Sequence, residues 1–212
     1  MIMKLMLASL AWLPLAAQAH YLWLEPVGNE MRLYFGEYEN ALREKSGGRL
    51  DSISSPSAVS PIKAAIPLLR KDDHFLAQGL SPTPLTAQDT AMPVKDLRKN
   101  HIGIVKPMYY ARFVGNGAEA PSTQALDIQP LGADRFRVTL HGKPLAKAKL
   151  LAYAPNQWMR EYETDDVGEA SVHTPWPGLY VLEVVQLEAT PGTYQGEPYE
   201  AVRHVSTLSL VK

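Results

Sequence analysis

Apolar and polar residues alternate along much of this chain with the two-residue period of half-buried strands, and helical periodicity is scarce. Residues 21–26 and 31–35 read as two strands of a hairpin around Gly28-Asn29. The one helix expected lies over residues 37–45, where Ala41 and Leu42 sit among charges and Gly47-Gly48 supplies a stop. Residues 51–66, rich in Ser, Pro and Ala, read as a long loop, as does the three-proline stretch 82–93. Strand composition returns at 65–69, 75–78 and 101–114. Beyond the break at 115–122 (GNGAEAPS), six segments alternate: 135–140, 146–154, 158–164, 170–174, 180–187 and 202–211. Turns at His141-Gly142, 165–168 and Pro177-Gly178 separate them, a spacing that describes an antiparallel β-sandwich of about 90 residues. The expected fold is therefore all-β, with two β-sandwich-like domains over 20–117 and 118–212, the second Ig-like.

The first 19 residues stand apart from this pattern. Lys4, an apolar run over 5–17 and Ala17-Gln18-Ala19 form a cleavable signal peptide, so the mature chain is expected to begin at His20 in the periplasm. That run is shorter than the ~20 residues a spanning helix needs, and no later segment approaches this length. The balance of the chain is 46% hydrophobic and 20% charged residues with a net charge of −1, which suits a folded protein and excludes the basic surface of a nucleic-acid binder. With no cysteine, disulfide scaffolds, thiolate zinc sites, iron–sulfur clusters, blue copper and thiol catalysis are all excluded. Nucleophile-elbow, HExxH, Walker, dinucleotide-binding and EF-hand patterns are also missing, and the chain is not expected to be an enzyme.

What remains is histidine. Trimming before His20 would leave an α-amine and an imidazole on one residue, two nitrogens that can chelate a late first-row metal at neutral pH. One further imidazole would complete a histidine brace. The alternative amino-terminal copper and nickel motif requires His at the third mature position, where Leu22 stands. The partner must come from His74, His101, His141, His173 or His204. His74 and His141 read as solvent-facing and His173 as a strand-end residue. His204 shares a strand face with Leu208 and Leu210, and His101 opens a strand after Lys99-Asn100. The candidate metal ligands are thus His20, His204 and His101.

Several stretches give the chain a familiar look. They are Ala19-His20-Tyr21-Leu22-Trp23-Leu24-Glu25-Pro26, Phe35-Gly36-Glu37, Gly142-Lys143-Pro144-Leu145, Thr164-Asp165-Asp166-Val167-Gly168, Pro177-Gly178-Leu179-Tyr180-Val181-Leu182-Glu183 and Arg203-His204-Val205-Ser206-Thr207-Leu208. In them the chain resembles the periplasmic-component family associated with cobalt and nickel uptake, a domain-of-unknown-function family. The resemblance implies a C-terminal sandwich of the carboxypeptidase-regulatory or transthyretin-like kind. It also implies a nickel or cobalt ion held at His20 and His204 and passed to a membrane metal transporter. Where relatives carry a His after the Tyr-x-Leu-Glu strand, this chain has Val185-Gln186. Intrinsic affinity for nitrogen ligands would favour copper equally. Two other functions fit the same residues: a histidine-brace copper protein oxidising polysaccharide, and a metal-free sandwich that docks on another protein.

Overall fold

A computed structural model of the chain describes residues 20–61, 65–79, 83–115, 122 and 124–212. The expected signal peptide, 1–19, lies outside the described residues. The fold is all-β and sandwich-like, with three sheets stacked in layers. In the N-terminal sheet, β1 (Tyr21–Val27), β2 (Glu30–Glu37), β6 (Phe75–Ala77) and β5 (Leu68–Arg70) follow in that order, with β3 (Leu42–Arg43) on β2. The central sheet runs β14 (Met159–Glu163), β13 (Lys149–Tyr153), β16 (Leu179–Glu188), β19 (Ala201–Val211), β9 (Ile104–Val114), β7 (Leu85–Asp89) and β4 (Ser57–Val59), with β8 (Lys95–Asp96) on β9. A third sheet orders β10 (Leu126–Gly132), β11 (Arg135–Leu140) and β12 (Lys143–Pro144), with β15 (Glu169–Ser171) on β11. A separate ribbon pairs β17 (Gly192–Tyr194) with β18 (Glu197–Tyr199).

The division at 117/118 does not survive as two separate sandwiches. Strand β9 from the first segment and β19 from the second lie parallel over ten register pairs, from Ala201↔Val105 to Leu210↔Val114. Strands of both segments therefore share one continuous sheet, and its two faces carry two cores. On the front, Tyr109, Ala111, Val181 and Val205 pack against Leu22, Leu24, Leu33 and Phe35 of the N-terminal sheet. On the back, Leu150, Leu182, Leu208 and Leu210 meet Leu126, Ile128, Phe136 and Val138 of the third sheet. Covered on both sides, β19 buries ten consecutive residues, polar ones included. Its Thr207 hydroxyl donates to the Leu22 carbonyl at 2.6 Å, which ties β1 to the front face.

Local chemistry explains where the pattern misled. No helix forms over 37–45; the chain reverses at 38–41 and returns as β3. Gly36 takes φ 147°, and a Cβ there would lie 2.1 Å from the Leu42 carbonyl oxygen, so the returning strand approaches the backbone at a point only glycine tolerates. The proline-rich stretch 82–93 contains β7, because Pro84 precedes the strand and leaves its ladder intact. The Ser/Pro loop likewise holds the short 3-10 turn Arg49–Ser52 and β4. Strand β10, with its Pro130 and Gly132, lies outside the segments whose pattern predicts a strand. The expected hairpin around Gly28-Asn29 forms in full, pairing Tyr21↔Gly36 through Val27↔Glu30.

Candidate metal centre

Three side chains on the back of the central sheet bring their donor atoms within 4.8 Å of one another: His141, Glu188 and His204. Each arrives by a different route. His141 stands in the tight turn after β11, with φ 50° followed by Gly142 at φ 74°, the left-handed pair that a two-residue hairpin turn demands. Glu188 is the last residue of β16. His204 sits on β19, where antiparallel pairing puts Val202 opposite Glu188 and His204 opposite Gln186. The carboxylate thus leans diagonally across one strand step onto the imidazole.

His204 Nε2 lies 3.0 Å from Glu188 Oε2, and His141 Nε2 lies 3.2 Å from both Glu188 oxygens. The rings of His141 and His204 meet edge to face at 5.9 Å. Beneath them Tyr110 stacks on His204, its hydroxyl 3.1 Å from Nδ1. Hydrogen bonds from His204 and then from His141 hold the Glu188 carboxyl below its ordinary pKa. Burial pushes the His204 pKa down, with Glu188 acting in the opposite sense. An ionised Glu188 only accepts, so the Nε2 proton of His204 donates to it and Nδ1 accepts from Tyr110. Depth is graded: the side chain of His204 is 2% exposed, Glu188 29% and His141 53%, so the cluster has a buried floor and an open lip.

His20 lies on the other side of the sheet. Its Nδ1 is 3.3 Å from Glu37 Oε1, its Nε2 bonds Glu44, and Arg49 Nη1 lies 3.3 Å from that same nitrogen. It shares a cavity with Arg203, the strand neighbour of His204 that points to the front face. Strand alternation therefore separates the two rings expected to share an ion: β1 packs on the front, and His204 projects from the back. His101 is also apart. It caps the short turn Arg98–Asn100 in the left-handed region at φ 59°, ahead of β9 and exposed, so the strand expected from 101 starts only at Ile104. The other histidines divide. His141 is half exposed, as the turn implied, yet is a member of the cluster. His74 is buried against expectation, with Nδ1 2.6 Å from Asp73. His173 is exposed.

No family model, curated protein or solved structure matches the chain. Among the described residues no helix is long and apolar enough to cross a membrane. Sequence reasoning reached His204 and missed its partners. The available signal was the His141-Gly142 turn, which closes β11 over the sheet face that the β19 alternation assigns to His204.

Proposed function

We propose that this protein binds a divalent transition-metal ion through His141, Glu188 and His204, and that it handles such ions in the periplasm instead of catalysing a reaction. The observation that carries the reading is the convergence of two imidazoles and one carboxylate from three different segments of the chain. Two nitrogens and one oxygen suit nickel, cobalt, copper or zinc and are a poor set for calcium or magnesium. The resemblance to the cobalt and nickel uptake family favours those two ions. His204 is already neutral and needs no deprotonation to serve. When its Nε2 turns from Glu188 to a metal, Nδ1 takes the proton and donates it to Tyr110, the outer hydrogen bond that fixes a ligating imidazole. An exposed His141 on a turn lets an ion enter and leave, which favours carriage to a membrane transporter over a sealed structural role.

Titration of metal-free protein with nickel, cobalt, copper and zinc tests this. One ion should bind, His141→Ala and Glu188→Gln should each weaken binding at least tenfold, and His20→Ala should leave it unchanged. At a free ion concentration one hundred times Kd, the wild type should gain ~2.7 kcal/mol of stability. Failure of all four ions to bind would point to the metal-free docking role, and dependence on His20 would restore the brace.

A further inference from the structure

On the front face, clear of the metal cluster, a cavity of about 470 Å³ opens between the N-terminal sheet and the first residues of β9 and β19. Three basic side chains line it, Arg49, Lys95 and Arg203, and among the described residues no carboxylate does. The nearby acids Glu44 and Glu37 point at His20. Arg203 is only 9% exposed. Its through-space acidic neighbour, Glu183, has its pKa pushed up to about 7 and is only partly ionised at neutrality. Burial first, and then the charges of Arg203 and Arg49, push the Lys95 pKa down. Phe35, Ile102 and Pro107 add apolar surface to the lining, and Asn100 and Ser52 add neutral polar groups.

Holding like charges together in a half-buried space costs free energy that a bound anion would return. We propose that this cavity binds a small organic polyanion, a molecule with two or more carboxylates on a short carbon skeleton. Arg203, Lys95 and Arg49 would meet its charged groups, and the carbon body would lie against Phe35 and Ile102. A cavity of this size exceeds what an inorganic oxyanion fills, and the apolar surface has no use for one. The site is independent of the proposed metal centre, which faces the other way.

Calorimetry on the full, metal-free chain with citrate, succinate, inorganic phosphate and acetate tests the inference. Citrate or succinate should bind one to one and raise Tm. Lys95→Gln and Arg49→Gln should each weaken that binding about tenfold while leaving the unliganded Tm near that of the wild type. His141→Ala should leave it intact. No binding of either polycarboxylate at millimolar concentration overturns the proposal. So does equal binding of phosphate or acetate, binding indifferent to both cation variants, or binding lost in His141→Ala, which would place the anion at the histidine cluster on the back of the sheet. Should Arg49→Gln or Lys95→Gln lower the unliganded Tm, the charge-retaining Arg49→Lys and Lys95→Arg decide. Recovery of citrate binding upholds the site, and continued loss refutes it.

Discussion

Replacing Glu183 with Gln should make the protein more stable at neutral and alkaline pH, although it removes a charged residue from the core. Glu183 projects from β16 into the front core, is 3% exposed, and accepts a hydrogen bond from the Tyr153 hydroxyl at 2.7 Å. Burial raises its pKa from the ordinary 4.5 to about 7; Glu39 and Glu37 add to the rise, whereas Tyr153 and Arg203 oppose it. A carboxyl that binds its proton more tightly when folded favours the native state fully below pH 4.5. That advantage is lost progressively as pH rises toward 7, and above this the ionised group holds stability lower by ~3 kcal/mol. Gln carries no charge to desolvate and keeps a carbonyl oxygen for Tyr153. Urea denaturation of wild type and Glu183→Gln, from pH 4.5 to 8 and followed by tryptophan fluorescence, isolates the effect because every other titrating group is common to both. The difference should be near zero at pH 4.5 and grow to at most ~3 kcal/mol in favour of the variant at pH 8. A difference independent of pH, or a variant less stable than wild type at pH 8, would refute the reasoning.

Two further substitutions probe the layers. Trp23 is 1% exposed and stacks on Tyr34 at 5.2 Å, so Trp23→Ala should cost ~3–5 kcal/mol in the same denaturation assay. Arg112 on β9 pairs with Asp127 on β10 at 2.8 Å with both side chains buried, joining the central and third sheets. Arg112→Met should cost ~3–5 kcal/mol, and adding Asp127→Asn should recover part of it, since the larger penalty is a buried charge left without its counterpart. A double variant no better than the single one would contradict this.

Much of the fold was legible because strand periodicity is local. The Gly28-Asn29 hairpin and the long strands β11, β16 and β19 are announced by their own local pattern, and β9 by its strand composition. The exceptions are instructive. Residues 37–45 have helical composition, yet the chain turns back and pairs as β3 against Gly36, a close approach that no composition reveals. The two-domain reading failed where β9 and β19, about a hundred residues apart in sequence, chose each other as parallel neighbours. For the site the limit is the same. His204 carried a face assignment, but which groups share that face depends on the β16–β19 register and on the turn that swings His141 inward. His20 drew attention because of where a trimmed chain would start, and tertiary packing set it among Glu37, Glu44 and Arg49 instead.

The most direct test of the central claim is an anomalous diffraction map from crystals of the protein soaked in nickel. The account predicts one strong peak about 2.0–2.2 Å from nitrogen atoms of His141 and His204 and from a Glu188 oxygen. A peak on His20 instead, or none between those three side chains, would contradict it.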